Sequence, residues 1–278
     1  MKIAITGYNG RLGSEFIRQG CIPLPCDITD PQDIEHALNY VGHPDVVINC
    51  AAYTDVDKCE NDLEYDVARQ VNVWGVKNLL DKFDGKLVHI STDYIFNGTN
   101  GPYFEEDEFE EPVNAYGLTK LSAEAVIESY RSERDVTIIR TTGLYGRSVH
   151  HQDFVKLVRW NLSRNLEVKI TNTLYGNQTY IPHLVEGIFA CLGAKMPVIN
   201  IASKEVISRY HFAQMIADTF ELDPDLLIPV SSYEIPGWVA KRPEKGGLVV
   251  DPYYDFQDEP MFSVYSIQDG LDALKREE

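Results

Sequence analysis

Tyr116 and Lys120 stand four residues apart in the stretch NAYGLTK, residues 114–120. On a helix that spacing puts both side chains on one face, within reach of each other. A phenol titrates near pH ~10 and exchanges protons usefully only if that value is brought toward neutrality. An ammonium one turn away favours the phenolate and would do this. A tyrosine beside a lysine is also a common packing pair, so its meaning depends on what surrounds it. Such a pair serves carbonyl reduction when a hydride donor faces it and a hydroxyl holds the carbonyl. Ser91-Thr92-Asp93-Tyr94 closes the apolar run KLVHI and puts Thr92 at the end of a strand. Open α/β sheets bind their ligands at that edge.

The hydride donor has a candidate berth. Gly7, Gly10 and Gly13 form a GxxGxxG spacing directly after KIAIT and before a helical pattern. Glycines there permit a tight turn and a close approach of backbone to a diphosphate, and the following helix N-terminus offers oriented N–H donors. A glycine trio alone is a weak signal; its place between a strand and a helix makes it a dinucleotide site. An acid about 20 residues further on would take the ribose 2′-hydroxyl. There CIPLPC (21–26) runs into Asp27, which fits a place near the adenine as readily as one on the ribose. Neither a clear ribose acid nor an arginine for a 2′-phosphate stands out, so NADH and NADPH both remain open.

These groups need an alternating fold to position them. KIAIT (2–6), VVINC (46–50), KLVHIS (86–91) and VTIIRT (136–141) are short β-branched runs without polar alternation, as in strands buried on both faces. Amphipathic stretches at 11–19, 31–40, 62–83 and 119–131 separate them. The alternation predicts an α/β fold, a Rossmann-type doubly wound parallel sheet. Beyond residue 146 the pattern loosens into helix-like pieces at 154–163, 182–192 and 210–220, short strands and Pro/Gly loops. Residues 1–146 are therefore expected to form the dinucleotide-binding domain, with some later segments returning to it. Residues 147–278 are expected to form mainly a smaller, interleaved substrate lobe.

Composition narrows the partners. In 278 residues, 25 Lys+Arg stand against 43 Asp+Glu, a formal charge of -18 that repels nucleic acid and anionic membranes. No apolar run reaches the roughly 20 residues that cross a bilayer, and MKIAITGYNG enters structure at once, so neither a membrane nor a signal peptide is expected. Five cysteines without a CxxC pair read as free thiols of a reducing cytosol, and no zinc site is expected. The run 105–111 holds six acids in seven residues and reads as a solvated loop.

GxxGxxG, NCAAYTDVDKCE (49–60), HISTDYIFNG (89–98), Tyr116-x-x-x-Lys120 and IIRTTGLYG (138–146) follow the order of the extended short-chain dehydrogenases/reductases. STDYIFNG, AAYTDVDK and KRP (241–243) resemble, more narrowly, the dTDP-4-dehydrorhamnose reductase family. That resemblance implies reduction of the 4-keto group of a nucleotide-linked deoxysugar by NADPH or NADH, in the cytoplasm, in a chain of a kind that often forms homodimers. Thr92, Tyr116 and Lys120 would be catalytic. Asn72 would complete a proton relay, or else serve only as a helix asparagine bonded to backbone. The cofactor would meet Gly7, Asn9, Gly10, Arg11, Leu12, Gly13, Asp27, Ile28, Ala51, Ala52, Tyr53 and Ser91, besides Asn72, Tyr116 and Lys120. The sugar nucleotide would meet Thr54, Val56, Asp93 and Gly143, besides Thr92 and Tyr116. Arg242 would clamp the substrate diphosphate or, more simply, sit in a surface ion pair.

Three departures fall on the substrate side. Gly143 stands where the family carries a tryptophan, which implies a roomier or differently shaped sugar pocket. SVHHQD (148–153) replaces an asparagine-rich turn, with His150 and His151 read as loop rather than metal ligands. Gln178 stands where a proline is typical. Two other functions share the frame. One is a nucleotide-sugar epimerase or dehydratase, although Asp93-Tyr94 follows Thr92 where dehydratases carry Asp-Glu. The other is a regulatory subunit resembling the methionine adenosyltransferase β-subunit.

Overall fold

A computed structural model describes residues 1–108, 111–147, 153–254 and 259–277. The chain runs β1 (Ile3–Thr6), α1 (Arg11–Arg18), β2 (Ile22–Pro23), α2 (Pro31–Val41), β3 (Val46–Asn49), α3 (Asp62–Arg69), α4 (Gly75–Lys82), β4 (Lys86–Thr92), α5 (Ala115–Tyr130) and β5 (Val136–Thr141). It continues through α6 (Phe154–Leu162), β6 (Val168–Thr171), β7 (Tyr175–Gly176), α7 (Ile181–Cys191), β8 (Val198–Asn200), β9 (Ile207–Ser208), α8 (Arg209–Thr219), β10 (Leu227–Val230) and α9 (Ile267–Arg276).

Six parallel strands lie in the order β2-β1-β3-β4-β5-β8. Because side chains alternate along a strand, neighbouring residues serve opposite faces. Ala4, Val47, Leu87 and Ile138 pack under α2, α4 and α5 with Ile34, Leu79 and Ile127. Ile5, Ile48, Val88 and Ile139 pack under α1 and α7 with Phe16, Leu184 and Ile188. Both faces are covered, which is why the strands read as unbroken apolar runs. A third core joins α6, α8 and α9 to the β6–β10 pair through Val158, Phe212, Ile216, Leu227 and Leu271.

The helix boundaries have local causes. Asp30 caps α2 by accepting from Gln32 N at 2.8 Å, Pro31 opens it, and Gly42 ends it at φ 72°. Asn114 caps α5 by accepting from Gly117 N at 2.7 Å. The helix therefore starts at Ala115, earlier than the amphipathic pattern at 119 suggests, and Tyr116 lies in its first turn. The stretch 62–83 is not one uniform helix: a π-helical turn, Gln70–Trp74, separates α3 from α4, and such turns often mark functional sites. Glu105, from the acidic run, is not simply solvated. It accepts from Asn200 N at 2.8 Å and from the Tyr253 hydroxyl, tying the loop to β8.

Candidate active site

β1 lies between β2 and β3, so the sheet reverses its winding at the carboxyl end of β1. The glycine loop occupies that crevice. Gly7 adopts φ 59°, and a Cβ there would lie 2.6 Å from Ala51 N. A Cβ on Gly13 would lie 2.3 Å from Gly7 O. Any larger residue therefore breaks the contact between the loop and the end of β3. Gly10 caps α1 without a side chain, and no acid stands in the first helical turn. The helix thus turns unfilled N–H donors and the positive end of its dipole to this edge, which suits a diphosphate.

Around the loop, Asn9 is exposed and Leu12 is buried in the core, while Arg11 Nη1 donates to Leu144 O at 2.9 Å. Ala51 and Ala52 lie half-buried just beyond β3. Asn72, on the π-helical turn, accepts from Tyr53 N at 2.8 Å and donates to Tyr53 O at 3.0 Å and Thr119 Oγ1 at 2.9 Å. Both amide hydrogens are spent, so Asn72 pins the 51–53 segment to α5. Ile28 is a core residue against Gly75, and exposed Asp27 turns its carboxylate to Thr29 N and Oγ1. Ser91 corrects one expectation. Its hydroxyl donates to Glu124 Oε1 at 2.5 Å and so faces α5 rather than a cofactor. The cause is strand alternation, which sends Ser91 and Thr92 to opposite faces.

Tyr116, in the first turn of α5, comes to Thr92 at the carboxyl edge of β4, and the Thr92 hydroxyl acts to lower the phenol. Burial nevertheless pushes the phenol well above its ordinary value. The expected help from Lys120 is absent because its ammonium points to β4. There Nζ donates to Ile90 O at 2.7 Å and sits 3.1 Å from His89 Nε2. Burial brings the lysine down to about 8, with the Glu124 carboxylate acting against the shift. His89 is held well below the usual histidine range, first by burial and then by Lys120, and its other nitrogen meets Asn49 at 3.2 Å. The four-residue spacing thus brings the pair to one face, but a second strand contact decides where the ammonium goes.

The substrate side opens beside them. Buried Asp93 accepts from Gly247 N at 3.1 Å and Thr92 Oγ1 at 3.3 Å; burial raises its carboxyl, and these bonds with one from Thr142 oppose the rise. Tyr94 lies edge-on to Tyr116, ring centres 6.0 Å apart. Thr142, Gly143, Gln178 and Arg209 line the same pocket as Asp93 and Tyr94. Gly143 does not leave extra room. It sits at φ 58°, and a Cβ there would lie 2.5 Å from Asn177 O and 2.7 Å from Gln178 Oε1. The Gln178 side chain fills the space, so the pocket is reshaped rather than enlarged. Thr54 is exposed and Val56 half-buried on the loop beyond β3.

Arg242 is neither a surface pair nor an open clamp. Its side chain is 8% exposed, and its fork meets Asp57 through Nη1–Oδ1 at 3.1 Å and Nη2–Oδ2 at 2.6 Å. Arg209, the other arginine here, carries no motif, and nothing in the local sequence singles it out. His150 and His151 lie outside the described residues. Among the described residues no cluster suited to a metal ion occurs.

A parallel sheet with a glycine loop at its winding reversal, and Thr92, Tyr116 and Lys120 grouped where β4 ends and α5 begins, has the architecture of NAD(P)-binding extended short-chain dehydrogenases/reductases. Within that class, the family model described as RmlD substrate binding domain matches residues 1–258, and the chain belongs to that family. It is 32% identical over 255 residues to dTDP-4-dehydrorhamnose reductase of Mycobacterium tuberculosis, covering 84% of this chain and 81% of the relative. It superposes on dTDP-4-dehydrorhamnose reductase of Bacillus anthracis, crystallised with NADP, with a TM-score of 0.87 at 26% identity over 100% of both chains. It is also 28% identical over 276 residues to methionine adenosyltransferase 2 subunit beta of Bos taurus, covering 89% of this chain and 80% of that one.

Proposed function

We propose that the protein uses NAD(P)H to reduce the 4-keto group of a nucleotide-linked deoxysugar, converting dTDP-4-dehydro-L-rhamnose to dTDP-L-rhamnose. The observation that carries this reading is the gathering of Thr92, Tyr116 and Lys120 where β4 ends and α5 begins, beside a glycine cradle that any Cβ would fill. Bound nicotinamide supplies the hydride; the chain handles the oxygen and the proton. Thr92 holds the carbonyl oxygen by its hydroxyl, and Tyr116 gives its phenolic proton to the alkoxide as charge develops. Lys120 is the third member of the catalytic set we propose; its ammonium, turned to Ile90 O and His89 in the free protein, supports the edge of β4 beneath Thr92 and Tyr116. Residues 1–146 would serve mainly the dinucleotide, and 147–278 mainly the sugar nucleotide.

The test is direct. Purified protein with dTDP-4-dehydro-L-rhamnose should consume reduced nicotinamide, seen as loss of its near-ultraviolet absorbance. A regulatory role is the second reading, favoured by the likeness to methionine adenosyltransferase 2 subunit beta. Cofactor binding without turnover of any 4-keto sugar nucleotide would decide for it.

Among the described residues no helix is long and apolar enough to cross a membrane, and five free thiols suit the cytoplasm we propose. We also propose a homodimer. Leu63, Val67, Trp74 and Leu118 stay exposed at 79%, 48%, 42% and 39% along the α3–α5 face, where a second copy would cover them. Sedimentation velocity should show a dimer that Leu63→Glu with Trp74→Glu dissociates; a wild-type monomer at micromolar concentration would rule it out.

A further inference from the structure

Resting on the reading above, we propose that Arg209 is the cation that holds the diphosphate of the sugar nucleotide, in place of Arg242. Arg242 has its fork occupied by Asp57, an ion pair that also ties Val239 N and Ala240 N to the same carboxylate at 2.8 and 3.0 Å. It is a latch between the 51–60 loop and the 238–243 loop. Arg209 has no such partner. Among the described residues its guanidinium makes no hydrogen bond or ion pair; it lies over the rings of Phe154, at 4.8 Å, and Trp238, at 5.9 Å, and the Asp93 carboxylate acts on it only through space. Those flat faces hold the arginine without neutralising it.

The surroundings define what the charge is for. Arg209 is half-buried in the wall of the pocket that contains Asp93, Tyr94 and Gln178. Of the two acids nearby, Asp57 is spent on Arg242, and Asp93 is buried and turned to Thr92, Thr142 and Gly247 N. In a chain of net charge -18, a guanidinium in a pocket wall with no carboxylate bonded to it is held at a cost that an arriving anion removes. The side-chain amide of Gln178 also lies in this wall, able to donate to the same anion.

Position selects the diphosphate over other anions. Tyr94 lies one ring away from Tyr116, and the charges of both Arg209 and Arg242 act on its hydroxyl. Tyr94, in edge contact with Tyr116, shares the pocket wall with Arg209, so the arginine and the reacting phenol flank the same ring. A sugar with its C4 carbonyl at Tyr116 carries its anomeric phosphate on the opposite side of the pyranose. A planar fork of donors there can take two phosphate oxygens at once.

The experiment is calorimetric titration of dTDP, UDP and thymidine into the NADPH-saturated protein and into Arg209→Met and Arg209→Lys variants. Nucleoside diphosphates without a sugar isolate the diphosphate from any carboxylate a sugar might carry. Wild type should bind dTDP far more tightly than thymidine. Arg209→Met should lose about 10- to 100-fold in dTDP affinity while thymidine and NADPH binding stay unchanged, and Arg209→Lys should fall between. Undiminished dTDP binding by Arg209→Met overturns the proposal, as does a wild type that binds neither dTDP nor UDP. Diphosphate binding that depends on Arg209, without turnover of a 4-keto sugar nucleotide, keeps this proposal and sinks the reductase reading. An NADPH affinity that falls together with that for dTDP would mark Arg209 as structural and overturn its assignment.

Discussion

Tyr116→Phe should lower kcat by at least about 10²-fold, the scale of a lost general acid, and leave NADPH affinity where it was. The substitution removes one hydroxyl and nothing else. The ring keeps its edge-on contact with Tyr94, and the Asn114 cap that starts the helix is untouched. KM should change little, because the phenolic proton is needed in the transition state more than in the bound ground state. Steady-state kinetics across a pH series check this. A variant retaining more than a tenth of wild-type kcat would mean that another group supplies the proton. Burial raises the phenol in the free protein, so its proton stays in place across the neutral range until substrate and cofactor bind.

Glu124→Ala should destabilise the fold by about 3–5 kcal/mol, the usual cost of leaving a buried charge without its partner. Glu124 and Arg140 are 5% and 2% exposed and pair through Nη2–Oε2 at 2.8 Å and Nε–Oε1 at 3.3 Å. Ser91 adds its hydroxyl to the same carboxylate. The cluster joins α5, which carries Tyr116 and Lys120, to β4, which carries Thr92, and to β5. Urea unfolding of the free protein measures the loss, and a loss below about 1 kcal/mol would contradict the assignment. The double variant Glu124→Leu with Arg140→Met should recover much of the stability, because removing both charges leaves neither stranded.

Much of this arrangement is legible in the sequence, for physical reasons. The central strands are covered on both faces, so runs such as VVIN and VTIIRT need no polar alternation. The glycine loop is legible because its demands are local: a positive φ at Gly7 and a close backbone contact at Gly13. Tyr116 and Lys120 are paired by helical spacing alone. What escaped were facts set by residues far apart in the chain. The direction of the Lys120 ammonium depends on His89 and Ile90, some 30 residues away. Arg242 was legible by its motif but not its commitment to Asp57, which lies 185 residues away. Arg209 carried no signal, since an arginine at a helix start means nothing until Phe154, Trp238 and the pocket are placed around it. The π-helical turn is likewise invisible to a 3.6-residue period, which continues through 62–83 with only a slip of phase.

Gly143 and Gln178 have a history to tell about order. At φ 58°, with Asn177 O and the Gln178 amide where a Cβ would be, position 143 admits no side chain until the 177–178 segment gives way. A change of Gly143 to tryptophan is thus closed as a single step. The backbone must move first, or both positions must change together. Any lineage that exchanged the aromatic wall for this amide would have passed a ratchet, and its sugar preference would be held by the geometry of two residues rather than the chemistry of one.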